Sequence, residues 1–344
     1  MKAVKTTTLG HAEVQDVPIP TLAGKPGFAL VKTSHVGIGP SDNLFISYPP
    51  FHIDGLTIGS DYCGTVVDVD PAVKHIKKDD RVAGAVFATC VASQPDGGTF
   101  AEYVLAKADA MLRLDDMGDT TDAQGAALGV SVYTVYRTLY CGAGLPLPGI
   151  ESWNKTILIY GGSTTSGLLM MQFAKLSGAQ VIATASRKNF DLVKSYGADI
   201  VVNYHDSEVC AREIIEATGG KLDIVVDCVG IDSTVDICDK VLASRGQYFV
   251  LTPSTSKRDD VTTTFNPGQD LIGEPYIIGG QTITIPPATE EARSFLRLAE
   301  TLFREGKIRH IPIKVSEGWT EVLERGNDLR EGKASGFKYV VKIA

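Results

Sequence analysis

The sequence predicts an α/β protein in which a β-rich segment precedes a doubly wound parallel sheet, and three observations carry that prediction. The first hundred residues hold short strand patterns broken by Gly and Pro, at 28–33, 64–69, 81–86 and 102–106. From Thr121 onward, longer helical stretches alternate with short apolar runs, as buried parallel strands joined by crossover helices do. At 156–176 one such run enters a turn of Gly, Ser and Thr and then an amphipathic helix.

Taken in order, the runs 156–160, 181–184, 224–227 and 248–251 are each separated by enough chain for a helix, which builds a doubly wound sheet. A further strand is expected at 200–203. The polar, Thr-rich residues 252–266 read as a surface loop. The apolar run 276–285 reads as an edge strand, either paired across a dimer or covered within a monomer, so the oligomeric state stays open. Residues 290–305 set Phe295, Leu298, Leu302 and Phe303 on one helical stripe with Gly306 as cap, and 337–343 closes the chain as a strand.

A length of 344 residues favours two domains at about 150 residues each. With 44% hydrophobic and 22% charged residues, the chain falls in the soluble globular class. Lys and Arg total 33 against 41 Asp and Glu, a net charge of −8, and no basic block exists to neutralise phosphates, which argues against a nucleic-acid partner. No apolar run approaches the ~20 residues that span a bilayer, so no membrane association and a cytoplasmic location are expected. The six cysteines are spread along the chain and are expected to be reduced and mostly buried, without redox function.

The stretch Gly161-Gly162-Ser163-Thr164-Thr165-Ser166-Gly167 joins strand to helix. Unpaired N–H groups at the helix start and small residues in the turn suit a pyrophosphate. The spacing departs from G-x-G-x-x-G, so the hydroxyls of Thr164 and Thr165 are expected to serve as phosphate donors; a turn without ligand is the competing reading. After the next strand no acid stands ready for a ribose. Instead Ser186-Arg187-Lys188-Asn189 offers a hydroxyl and two cations, which suits the 2′-phosphate of NADPH; solvated residues at a helix start are the alternative. Tyr204 follows strand 200–203 and is expected beside the adenosine.

The segments Tyr160-Gly161-Gly162-Ser163-Thr164, Leu145-Pro146-Leu147-Pro148, Asn189-Phe190-Asp191-Leu192-Val193-Lys194-Ser195 and Ser335-Gly336-Phe337-Lys338 carry a resemblance. Over essentially its whole length the chain resembles medium-chain dehydrogenase/reductases of the zinc-free quinone-reductase-like branch and, more narrowly, the trans-acting enoyl reductases of fungal polyketide synthases. The resemblance implies a GroES-like catalytic domain from residues 1–126 and 286–344, around a Rossmann domain at 127–285. It further implies NADPH as cofactor, with contacts from Leu251, Gly279 and Lys338, and a polyketide synthase or its carrier-bound substrate as partner.

Zinc-dependent relatives carry a Cys in a G-x-C-x-S-D stretch and a His-Glu pair soon after. The matching stretches here are Gly37-Ile38-Gly39-Pro40-Ser41-Asp42 and Gly59-Ser60-Asp61-Tyr62. Gly39 and Ser60 cannot serve as the usual Cys and His ligands, and no close set of four cysteines exists, so no metal is expected. The six histidines are isolated and none is nominated as catalyst.

The implied reaction adds a hydride to the β-carbon of an unsaturated thioester, and hydrogen-bond donors must meet the charge that develops on the thioester oxygen. The resemblance places Thr134, in Leu128-Gly129-Val130-Ser131-Val132-Tyr133-Thr134, beside nicotinamide and substrate; a helix threonine bonding its own backbone is the competing reading. Where relatives carry a lysine two residues after the Ser-Asp pair, this chain has Leu44. Asn43, Ser47, Tyr48 or a water would then have to supply the missing donor. Asp42 either orients a neighbour or the cofactor ribose or simply forms a turn, while Phe45, Tyr48 and Phe51 line a substrate mouth or pack their own loop.

The function expected is NADPH-dependent reduction of the carbon–carbon double bond of a polyketide-type enoyl thioester. The alternatives are reduction of a free enone, enal or quinone, and a non-reductive, NADPH-binding partner that guides cyclisation on a synthase.

Overall fold

The computed structural model describes residues 1–286 and 288–344. The chain divides into two compact units, Met1–Val130 with Gln269–Ala344, and Ser131–Gly268. The return to the first unit comes before residue 286, where the sequence placed it, because the intervening chain bonds to that unit. Val91 N–H donates to Pro275 O at 2.9 Å and Ile277 N–H to Thr89 O at 3.1 Å. The run expected as one edge strand is a hairpin, Tyr276–Ile278 antiparallel to Gln281–Ile283, turned by Gly279 and Gly280.

A seven-stranded sheet forms the body of the first unit. Its long strand Phe28–Gly37 bonds antiparallel to Asp61–Val69, Tyr103–Lys107 and the C-terminal strand Lys338–Lys342. The strand runs past the expected end at residue 33 because Ser34 and His35 find partners from the far end of the chain, which no local pattern shows. Val31, Tyr62, Val66, Val82, Val104 and Met111 make its core, each at most 1% exposed. The helix Glu290–Arg304 is capped by Thr289, whose Oγ1 accepts from Ala292 N–H at 3.2 Å, and it buries Phe295, Leu302 and Phe303.

The second unit carries the doubly wound sheet. Six parallel strands lie in the order Ile200–Asn203, Gln180–Ala185, Thr156–Tyr160, Leu222–Asp227, Leu242–Val250 and Thr262–Phe265. Strand order reverses between Thr156–Tyr160 and Leu222–Asp227, and open α/β sheets bind ligands beyond the carboxyl ends of their strands at such a switch. Leu158, Ile182, Val225 and Tyr248 sit fully buried in its core. The Thr-rich residues 252–266 are not loop throughout: Thr262–Phe265 is the outermost strand, since β-branched threonines favour a pleated surface and polar side chains suit an edge. The helix Gly129–Val135 continues as a π-helical stretch, Tyr136–Gly142. All six cysteines are free; Cys63, Cys90, Cys210 and Cys238 are buried and Cys141 is exposed.

One ion pair is fully enclosed in the first unit. Lys338 Nζ meets Asp61 Oδ2, with side chains 4% and 2% exposed. The second oxygen of Asp61 accepts Val130 N–H at 2.7 Å, near the start of the helix Gly129–Val135. Between the two strands lies Gly37, where a Cβ would stand 2.9 Å from Lys338 Cε and 3.1 Å from Asp61 Cβ. Replacing Lys338 by Met leaves a buried carboxylate without its countercharge, at a cost of about 3–5 kcal/mol. Urea unfolding should show that loss for Lys338→Met and recovery of at least half of it in the pair Asp61→Asn with Lys338→Met; an unchanged single variant would contradict this account.

Candidate functional site

The strand Thr156–Tyr160 ends in Gly161, whose φ of +79° only glycine adopts without strain. Gly161 N–H donates to Thr184 Oγ1 at 3.0 Å and Gly162 N–H to Thr184 O at 2.9 Å, which fixes the turn to the neighbouring strand. A Cβ on Gly162 would lie 2.9 Å from Ala183 Cβ, so the small residues let strand, turn and helix close on one another. The helix Thr165–Leu176 then begins with Thr164 as N-cap: its hydroxyl accepts from Gly167 N–H at 3.0 Å and donates to Gly161 O at 2.8 Å.

This corrects one expectation, because the Thr164 hydroxyl is spent inside the turn rather than offered to a phosphate. Ser163 and Thr165, on either side of Thr164, are half-buried. A glycine turn against a helix N-terminus at the switch of a parallel sheet fits a dinucleotide pyrophosphate.

Beyond the strand Gln180–Ala185, buried Ser186 and Asn189 bracket the exposed Arg187 and Lys188. Asn189 N–H donates to Ser186 O at 2.9 Å, and this short helical turn leaves both cations in solvent. Tyr204 is 36% exposed, with its ring centroid 6.2 Å from that of Tyr160, at the same ends of the strands. Leu251 N–H donates to Asp227 O at 3.2 Å. Thr134 is buried in the helix Gly129–Val135.

The residues nominated in the first unit have more structural work than the sequence suggested. Asp42 caps its own helix, Pro40–Ser47: Oδ2 accepts Gly39 N–H at 2.7 Å and Oδ1 accepts Ser60 Oγ–H at 2.8 Å. Ser60 in turn lies 3.3 Å from Ser41 Oγ. Asn43 Nδ2 donates to Gly326 O at 3.1 Å, tying that helix to Trp319–Arg330. Lys338 is held by Asp61, and Gly279 N–H donates to Pro50 O at 2.5 Å in the hairpin turn. These contacts employ Asn43, Gly279 and Lys338 within the first unit itself.

Tyr48 is 47% and Leu44 38% exposed, while Phe51 is half-buried. Phe45 packs edge-on against Phe87 and Phe51, Phe87 against Tyr276, and the Tyr48 ring lies 5.8 Å from that of Phe51, so these rings pack their own loop. At the positions of the usual zinc ligands stand Gly39 and Ser60, and among the described residues no group of three or more His, Cys, Asp or Glu could hold a metal. Two residues that sequence reasoning passed over, Asp61 and Asp227, are the carboxyls that organise the two units; the only local signal for Asp227 is an acid at a strand end followed by Cys-Val-Gly.

Burial pushes the Asp42 carboxyl up to about 7, against the opposing hydrogen bonds from Gly39 and Ser60, with the charge of Asp61 adding and that of Lys338 opposing. A folded-state value above the unfolded one means the neutral acid favours folding: this contribution is complete below about pH 4 and is lost as pH rises toward 7. Asn mimics the neutral acid. The unfolding free energy of the native chain should therefore fall relative to Asp42→Asn between pH 5 and pH 8, by on the order of a few kcal/mol. Parallel pH profiles in denaturant titrations would show that folding leaves the Asp42 carboxyl at its unfolded value.

Known proteins place this geometry. The family described as Alcohol dehydrogenase GroES-like domain matches residues 25–116, and that described as Zinc-binding dehydrogenase matches residues 167–301. The chain is 36% identical to the trans-enoyl reductase ACTTS2 of Alternaria alternata, covering 99% of this chain and 98% of that protein. It is 34% identical to the trans-enoyl reductase resD of Aspergillus sclerotiorum over 100% of both. A mycobacterial protein solved in complex with NADPH superposes with a TM-score of 0.75 at 24% identity, over 99% of each chain. Full-length identity to such relatives, joined to a GroES-like unit and a doubly wound unit with its glycine turn at the switch point, shows that this chain belongs to the trans-enoyl reductases of the medium-chain dehydrogenase/reductase superfamily.

Proposed function

We propose that the chain reduces the carbon–carbon double bond of a polyketide-type enoyl thioester, presented in trans by a polyketide synthase, with NADPH as reductant. The observation that carries the reading is the full-length kinship to trans-enoyl reductases, on a chain that keeps the glycine turn and lacks the Cys and His ligands of zinc-dependent relatives. When bound, the nicotinamide supplies the hydride. The residues of the chain bind, orient and exclude water.

In this reading the turn from Gly161 to Thr165 receives the pyrophosphate, and exposed Arg187 and Lys188, with Ser186 and Asn189, receive a 2′-phosphate. The NADPH complex of the mycobacterial neighbour supports the phosphorylated cofactor. Thr134 donates toward the oxygen on which charge develops, and Tyr48 carries an exposed hydroxyl for the proton that completes the α-carbon. Asp42, Leu44 and Phe51 stand on or beside the helix Pro40–Ser47, where they shape the approach of the acyl chain. A non-reductive partner role is kept as a second reading: the resemblance implies a lysine where this chain has Leu44, and the neighbouring Asn43 amide is already bonded to Gly326.

Charged hydrogen bonds are each worth about 1.5–3 kcal/mol, so Arg187→Ala with Lys188→Ala should raise the KM for NADPH at least tenfold and leave that for NADH nearly unchanged. Equal losses for both cofactors would remove the 2′-phosphate assignment. Single-turnover oxidation of bound NADPH should proceed with α,β-unsaturated acyl thioesters and not with a free enone. Tight NADPH binding without oxidation by any thioester, restored by Leu44→Lys, would instead establish the non-reductive reading.

A further inference from the structure

The glycine turn has a second wall, and it is held by a residue with no exposed surface. A Cβ on Gly161 would stand 2.9 Å from Val229 Cγ2 and 3.5 Å from Cys228 Cβ, so Cys228 and Val229 pack directly on the turn. These residues follow the strand Leu222–Asp227, on the opposite side of the point where strand order reverses. Their backbone is pinned twice. Asp227 Oδ1 accepts Val229 N–H at 2.8 Å and Gly230 N–H at 2.9 Å, while Gly230 O accepts the hydroxyls of Thr252 at 2.8 Å and Ser254 at 2.6 Å. Gly230 itself has φ +63°, and a Cβ there would lie 1.9 Å from Thr252 Oγ1.

The other oxygen of Asp227 is anchored in the core. Oδ2 accepts Tyr248 O–H at 2.8 Å and the Thr234 hydroxyl, and Asp227 is 0% exposed. Burial, and then the charge of Asp227, push the Tyr248 phenol far up, so that it remains a donor. Four N–H and O–H donors, with the Cys238 thiol at 4.0 Å from Oδ2, thus fix one buried carboxyl, which passes its position to the loop through two backbone N–H groups.

We propose that Asp227 is a positioning residue for the dinucleotide: by locking residues 228–230 against Gly161 it preorganises the cofactor crevice and sets its affinity without touching the ligand. The inference rests on the reading of the Gly161 turn as a dinucleotide site. An apolar residue of the same size would pack the core but leave Val229 and Gly230 N–H unbonded, and the loop free to rearrange into the crevice.

The test uses the full-length protein and NADPH fluorescence. Asp227→Asn keeps the size but turns an acceptor into a donor opposite Tyr248 and Thr234, and Thr252→Ala with Ser254→Ala releases the loop from its other side without entering the core. Both should weaken NADPH binding about fivefold or more and raise its KM by the same factor, while kcat at saturating NADPH and the KM for thioester stay within twofold. A melting temperature that falls while the NADPH affinity of the folded variants stays native would overturn the role, as would a loss confined to kcat. If the native protein itself bound no dinucleotide, the reading of the turn would fall and this role with it; native binding with unchanged variants sinks the role alone.

Discussion

The first unit is organised around one enclosed pair of charges. Asp61 and Lys338 lie on strands that flank Phe28–Gly37, and each has given up its hydration, so the two must stay together or the unit must open. Because Lys338 lies 277 residues after Asp61, the pair fastens the end of the chain to its first sheet. The same carboxylate holds Val130 N–H, and so sets the start of the helix along which the chain passes into the second unit. Gly37 has no side chain because that space is taken.

A comparable device works in the doubly wound unit. There too a buried carboxyl gathers backbone N–H groups and hydroxyls, in this case from a strand, a helix and a loop. In both places the carboxyl acts on backbone rather than on a substrate, and glycine supplies the close approach. Precision at a binding crevice depends on such supporting contacts, since loops held only by their own torsions drift.

Much of the architecture was legible because it is written locally. The parallel strands Thr156–Tyr160 and Ile200–Asn203 and the helix Glu290–Arg304 follow from apolar runs, spacing and caps within each segment. The strand Thr262–Phe265 was hidden because its threonines are polar as well as β-branched, and the two properties point to different structures. The hairpin after Tyr276 carries a local signal, since Gly279-Gly280 parts two three-residue strands, but strands this short read as one run of isoleucines along the sequence. Site residues were harder for a different reason: Asn43 and Lys338 are spoken for by partners 283 and 277 residues away, and no window along the chain contains both ends of those bonds. The glycine turn and the cations at Arg187 and Lys188 were readable because strand, turn and helix are contiguous there.

The distribution of sulfur has a practical side. Burial raises the thiols of Cys63, Cys90, Cys210, Cys228 and Cys238 well out of the range in which thiolate forms at neutral pH. Cys141 is the exposed one, and it sits on the π-helical stretch Tyr136–Gly142 a few residues beyond Thr134. The chain therefore carries a natural attachment point for a single spectroscopic label, on a segment continuous with the helix that bears its leading catalytic candidate.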